Sequence, residues 1–352
     1  MQNTTATTLA VLVSEGLIDS ADVDALKEVA EKYAIAAPRH LIDLIDQSAT
    51  NDPIAMQIVP SEAELKTSPD ERPDPIGDHT FSPVKGLVHR YPDRVLLKVH
   101  SACAVYCRFC FRREMVGPSG DAMDETDITA ALAYIGDRPN ISEVILTGGD
   151  PLVLSPQRLT KLLDALDQVD HVQVVRFHTR LPVAAPDRIT DELVNVLSKP
   201  RATVYVAVHS NHARELSDDA VAACNRLARA GIPLVGQTVL LKGVNDTADS
   251  LAALFRAMVR ARITPYYLHH PDLAPGTNHF RVPIEAGQAL MKHLRGQVSG
   301  LALPTYMLDI PGGYGKVPIG PSYLKTTDHG LTLVEDVNGE THRYPPSEDD
   351  PA

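Results

Sequence analysis

Six short runs rich in β-branched and aliphatic residues, separated by stretches of helical periodicity, predict an α/β fold built on a parallel sheet: a partial (β/α)6 barrel with an N-terminal helical extension and a short C-terminal segment. The runs are RVLLKVH (94–100), SEVILTG (142–148), VQVVRFH (172–178), ATVYVAVH (202–209), PLVGQTVLL (233–241) and TPYYLH (264–269). A second observation agrees, because polar residues gather where the runs end. A cysteine-rich stretch follows the first, GGDP (148–151) the second and HTR (178–180) the third, while His209 ends the fourth, Gln237 lies in the fifth and HHPD (269–272) follows the sixth. Parallel barrels place their chemistry at the C-terminal ends of strands. Hydrophobic residues make up 44% of the 352, enough for one large core.

In chain order, residues 1–88 read as a helical region followed by a connector. SADVDALKEVAEKYA has an Asp/Ser start and apolar positions at helical spacing, and residues 60–78 (with SPDERPDPIGD) are rich in proline and acid, as an extended connector would be. Residues 89–285 form the barrel core. In SPQRLTKLLDALDQ, Leu159, Leu162, Leu163 and Leu166 share one face, with Ser155 as N-cap and Pro156 in the first position. In SDDAVAACNRLARAG, Cys224 falls on the apolar face that Gly231 terminates, so it reads as core packing. Residues 286–340 hold one more helix and a glycine-rich loop, and 341–352 read as a solvated tail.

The formal charge of −12 argues against a nucleic-acid partner, since phosphate neutralisation needs basic patches. No apolar run is long enough to span a bilayer. With no secretion signal and three clustered thiols, the expected compartment is the reducing cytoplasm. Those thiols, Cys103, Cys107 and Cys110 in SACAVYCRFCFRRE, are spaced C-x3-C-x2-C, and the fourth cysteine lies over a hundred residues away. A structural zinc site or an electron-transfer cluster closes with four protein ligands. Three thiolates on a four-iron cluster leave one iron open to another ligand. The spacing resembles that of radical S-adenosylmethionine enzymes.

A second constellation lies in LDIPGGYGKVPIGPSY (308–323), where Lys316 follows three glycines in four positions. Glycine lets a backbone approach a flat ligand, and a lysine so placed could form a Schiff base with an aldehyde cofactor. The spacing is not that of a nucleotide-binding P-loop, and a surface turn is the ordinary alternative. Taken together, YPDRVLLKVHSACAVYCRFCFRR, LTGGDPL, HTRLPV, GQTVLLKGVND, HFRVP and DIPGGYGK resemble the lysine 2,3-aminomutase family over about residues 80 to 325.

The resemblance implies a radical-SAM barrel combined with pyridoxal phosphate, moving an α-amino group to the neighbouring carbon. It implies that Cys103, Cys107 and Cys110 hold a [4Fe-4S] cluster and that Lys316 carries pyridoxal 5'-phosphate, with Arg90, Tyr91 and Arg94 around that cofactor. Gly148, Gly149 and Asp150 match the motif that meets the amino end of S-adenosyl-L-methionine, with His209 and Gln237 nearby. Arg112 matches the arginine that takes the substrate carboxylate, and Asp272 and Asp309 match two acids that grip the ε-ammonium of L-lysine. Two carboxylates suit a compact cation with three donors. The expected function is conversion of L-lysine to β-lysine by a homo-oligomer, with an electron donor such as flavodoxin or ferredoxin. Alternatives are a member making β-lysine to modify translation elongation factor P, an arginine 2,3-aminomutase, or a non-enzymatic iron–sulfur protein. Some family members carry C-terminal zinc cysteines that help subunits associate, and here no cysteine follows Cys224.

Overall fold

All six expected strands form, and the C-terminal segment adds a seventh parallel strand. The computed structural model describes residues 5–117, 123–327 and 331–346. A hairpin of β1 (Leu87–Tyr91) and β2 (Arg94–His100) opens a nine-stranded sheet. β3 (Glu143–Gly148), β4 (Val174–Thr179), β5 (Thr203–His209), β6 (Leu234–Val239) and β7 (Ile263–His269) then follow in parallel, in sequence order. β8 (Thr305–Ile310) extends the parallel set, and β9 (Gly315–Pro318) turns back antiparallel. The strand β8 escaped the sequence reading because TYMLDI holds a single β-branched aliphatic residue.

Each strand alternates between helix-facing and interior-facing side chains. In β2, Val95, Leu97 and Val99 enter the main core, which leaves Arg94, Leu96 and Lys98 on the opposite face. The crossover helices follow their sequence signals. Ser155 caps Pro156–Asp167, whose four leucines are buried, and Ser217 caps Asp218–Arg229. Cys224 is fully buried in that core and its thiol is pushed up to about 12 by burial, as a packing residue would be.

The sheet nearly closes through side chains. From β1, Tyr91 and Arg90 reach residues of β8 and β9, the strands at the far edge: the Tyr91 hydroxyl accepts the Lys316 N–H at 2.7 Å, and Arg90 Nη1 donates to Asp309 Oδ1 at 3.3 Å.

The N-terminal helices Leu9–Ser14 and Val23–Lys32 belong to a second apolar cluster with Leu41, Ile54 and Ile58, which packs against Val105 in the cysteine loop and Ala184 after β4. The connector is more than extended chain. Ser61 and Glu64 form a capping box, and the buried Glu64 carboxylate also accepts from Arg108 (Nε 3.0 Å, Nη2 2.6 Å) and Arg113. Both arginines lie in the cysteine loop, so the connector clamps that loop.

At the other end, β10 (Leu324–Thr326), β11 (Thr332–Glu335) and β12 (Thr341–Tyr344) make a small antiparallel sheet. Residues 341–344, read from sequence as the start of a tail, pair as a strand, and the tail from 347 onward lies outside the described residues.

Removing one member of a buried ion pair strands the other charge at a cost of about 3–5 kcal/mol. Glu64→Ala should lower unfolding free energy by about that much in urea titrations, and Glu64→Gln, which keeps an acceptor, by less.

Candidate active site

The cysteine loop leaves β2 as a series of turns. Cys107 lies close enough to Cys103 and Cys110 to raise the pKa values of both. Burial, then Asp150 and the other two cysteines, holds Cys103 well above the usual thiol range. Burial and Cys107 push Cys110 up to about 11. Such thiols stay protonated at neutral pH, and bound metal ions deprotonate coordinating thiols outright. Among the described residues, the group bringing three ligand atoms within 4.8 Å of one another is Asp336, Glu340 and His342, on the exposed β11–β12 turn.

The GGD motif is stitched to this loop. The Gly149 N–H donates to the His100 carbonyl at 2.6 Å and the Asp150 N–H to the Ala102 carbonyl at 2.9 Å. A Cβ on Gly149 would stand 2.1 Å from the Ala102 oxygen, and Gly148 has φ of +100°. Only glycine fits either place. The Asp150 carboxylate points into protein, accepting from Leu152 N (3.0 Å), Arg180 N (2.8 Å), Leu181 N (3.1 Å) and the Thr179 hydroxyl (2.7 Å). Burial still raises its pKa, with these bonds offsetting part of the effect. Asp150 therefore organises the motif from within, leaving the glycine backbone at the rim.

Further round the barrel, His209 stacks on Phe109 of the cysteine loop at 5.4 Å between ring centroids. Burial and the neighbouring Arg180 push its pKa down to about 3, and its Nε2 has no hydrogen-bond partner among the described residues. Gln237 Nε2 lies 3.4 Å from His178 Nε2. Burial, with nearby cations, holds His178 and His269 well below the usual imidazole range. The barrel interior thus presents neutral imidazoles, which accept hydrogen bonds as well as donate them.

The second constellation is set by strand register. In the β8–β9 pair, Asp309 stands opposite Lys316, and the Lys316 ammonium pairs with Asp309 Oδ2. Arg90 bridges onward to Asp78 (3.2 Å), which also holds Arg112 (2.9 Å) and lies 3.9 Å from the Lys98 ammonium. Burial alone would raise the pKa of Asp78, yet Arg112, Lys98 and Arg90 hold it below the usual carboxylate range. Arg94 stacks on Tyr91 at 3.8 Å. Asp272, after β7, is partly exposed and has no hydrogen-bond partner among the described residues. Burial, with Asp309 and Asp78 nearby, pushes its carboxyl up to about 7 against the pull of Lys316 and Arg112.

Arg90, Tyr91, Arg112, Asp272, Asp309 and Lys316 are therefore assembled at one mouth, next to the cysteine loop. Sequence reasoning missed Asp78, Lys98 and Arg180. Lys98 gave a readable signal, a charge in the middle of an apolar strand, whereas Asp78 was one acid in an acidic connector.

Known proteins provide an independent comparison. Residues 97–255 match the radical SAM superfamily and residues 291–350 match the family described as lysine-2,3-aminomutase. The L-lysine 2,3-aminomutase of Clostridium subterminale is 39% identical over 321 residues, 91% of this chain and 77% of that protein. The chain belongs to the lysine 2,3-aminomutase family. Other members of the family include the L-lysine 2,3-aminomutase of Escherichia coli (strain K12), 36% identical with 82% of this chain and 83% of that one covered. The glutamate 2,3-aminomutase of Clostridioides difficile (strain 630) is 35% identical with 93% and 76% covered. Membership of the family is thus compatible with more than one substrate. Among the described residues no helix is long and apolar enough to cross a membrane.

A carboxyl whose folded pKa is raised contributes stability present below its unfolded pKa of about 3.9 and lost as pH rises through the folded value. For Asp272, at about 7, that window runs from about pH 4 to 7. Free wild-type protein should lose stability across it relative to Asp272→Asn, by at most about 4 kcal/mol before solvent screening. Urea midpoints at pH 4 and pH 8 measure the difference.

Proposed function

We propose that this chain is an L-lysine 2,3-aminomutase, a radical-SAM and pyridoxal-phosphate isomerase that moves the α-amino group of L-lysine to the β-carbon. The observation that carries the reading is the gathering of Lys316, Arg112 and two acids, Asp272 and Asp309, beside the cysteine loop. A glutamate-specific site would want a cation or neutral amide where Asp272 stands, so the acids favour a cationic side chain over the glutamate of the related enzyme.

The residues fit the groups the family uses. Cys103, Cys107 and Cys110 would hold a four-iron cluster, with the Gly148–Gly149 backbone, Asp150, His209 and Gln237 forming the S-adenosyl-L-methionine side. Lys316 would hold pyridoxal phosphate, with Arg90, Tyr91 and Arg94 around it. Together these groups supply a one-electron route to a carbon radical and a π system through which nitrogen can migrate.

The protein's own part is positioning. Arg112, already oriented by Asp78, meets the substrate carboxylate, and the Asp272 carboxyl meets the ε-ammonium. Because burial leaves Asp272 titrating near neutrality, an arriving ammonium stabilises its ionised form and draws a proton off it. Asp309 is shared between Arg90 and Lys316, so an engaged Nζ that gives up its charge frees one carboxylate oxygen for the same substrate. Neutral His178, His209 and His269 keep further charge out of the interior. We place the enzyme in the reducing cytoplasm as a homo-oligomer that takes its electron from a flavodoxin- or ferredoxin-type donor.

Anaerobically reconstituted protein should convert lysine faster than arginine, glutamate or alanine, with the product identified by mass spectrometry. Equal turnover of glutamate would sink the substrate assignment. Hydrogen bonds between charged partners contribute roughly 1.5–3 kcal/mol, so Asp272→Asn should lower kcat/KM for lysine about ten- to a hundredfold with iron content unchanged. Borohydride should fix the pyridoxal group on the peptide containing Lys316, and recovery of the label on Lys242 or Lys325 would refute that role.

A further inference from the structure

One buried cation of the barrel is used by neither the substrate nor the cofactor contacts described above. Arg180, the residue after β4, is 5% exposed, and its Nη1 donates to the Cys107 sulfur at 2.9 Å. Its Nη2 donates to Gln57 Oε1 at 2.6 Å and to Glu215 Oε2 at 2.8 Å, and both of those residues are fully buried. Gln57 and Glu215 are tied together at 3.1 Å, and Glu215 Oε1 accepts the backbone N–H of Asn211 and of His212 at 2.9 Å each. The Arg180 N–H is held in turn by Asp150. Both terminal nitrogens are engaged, Nη2 by Gln57 and Glu215 and Nη1 by a cysteine of the C-x3-C-x2-C loop, while the buried Nε has no partner among the described residues.

Other cations of the loop point elsewhere. Arg108 and Arg113 go to Glu64, and Arg112 goes to Asp78. Among the described residues, Arg180 is the side-chain donor that reaches a cysteine sulfur.

We infer that Arg180 sets the reduction potential of the cluster that Cys103, Cys107 and Cys110 hold, through its hydrogen bond to the Cys107 sulfur. The inference rests on the proposed radical-SAM reading, in which those cysteines carry a four-iron cluster. Hydrogen bonds to cluster sulfurs and local net charge are among the factors that tune such potentials. Reduction adds one electron to the cluster and its thiolates, so a cationic N–H bond to sulfur is stronger in the reduced state and raises the potential. Glu215 works in the opposite sense, since its carboxylate offsets the guanidinium charge. Arg180 is on this account a positioning and tuning residue, acting through Cys107.

The test uses full-length protein reconstituted anaerobically with iron and sulfide, as wild type, Arg180→Gln, Arg180→Lys and Glu215→Gln. Iron is counted, and the midpoint potential is read by electron paramagnetic resonance during stepwise reduction with dithionite, without S-adenosyl-L-methionine. Arg180→Gln should become about tenfold harder to reduce, a shift of about 59 mV to lower potential for a one-electron couple. Arg180→Lys should fall between it and wild type, and Glu215→Gln should shift the opposite way. A purely structural role would not give opposite signs. Full iron with an unaltered potential in Arg180→Gln overturns the inference. If that variant loses its iron, wild-type potentials in both Arg180→Lys and Glu215→Gln overturn it, and opposite shifts support it. Wild type that binds no iron overturns the radical-SAM reading instead, so the two failures are told apart.

Discussion

A buried guanidinium must have an acid beside it, and the barrel mouth carries more of these cations than the strands themselves can neutralise. Arg90, Arg108, Arg112, Arg113 and Arg180 are all close to fully buried, and Lys98 adds a further partly buried charge. Two of the acids that answer them, Glu64 and Asp78, come from the connector before the barrel, and Glu215 comes from the loop after β5. Unpaired charge in such a place costs several kcal/mol, so the N-terminal region is bound to the barrel electrostatically as well as through its apolar cluster. A chain with net charge of −12 thereby keeps a cluster of cations at the barrel mouth, each paired with an acid.

The same arrangement divides the site into two halves with different mechanical support. The cysteine loop and the GGD turn are fastened by backbone bonds from β2 and β3 and by Glu64 from outside. The half that carries Asp272, Asp309 and Lys316 sits on β7 to β9 and the loop after β7, and is joined to the other edge of the sheet by Arg90 and Tyr91. Side-chain bonds between β1 and the β8–β9 pair stand where a continuous ladder would in a closed barrel.

Features with a local signature were legible in the sequence. Six strand runs, the Ser155 cap and the leucine face behind it, and the packing role of Cys224 all appear in the structure as read. β8 was not legible, having little β-branched character, and its absence from the reading hid the register that pairs Asp309 with Lys316. Asp78, Glu64 and Glu215 were silent for a different reason: a carboxylate's partner across the fold leaves no mark on its own neighbourhood in sequence. The glycines before Lys316 were read as room for a flat ligand, yet the space beside Gly313, at φ of +88°, is filled by the Phe81 ring. The connector, rather than a ligand, enforces that glycine.

Because side chains alternate along a strand, the cross-strand partnership of Asp309 and Lys316 locks two functions to one geometric choice. A slip of one residue in β9 would carry Lys316 to the outer face and uncouple it from Asp309 at the same stroke. Any lineage that altered position 309 to admit a new side chain would also disturb the lysine across the ladder. Asp272 stands on a separate loop with no hydrogen-bond partner among the described residues, and it senses Lys316 and Asp309 through charge alone. A substitution at 272 therefore changes the charge near Lys316 without breaking a ladder partnership, whereas one at 309 breaks it.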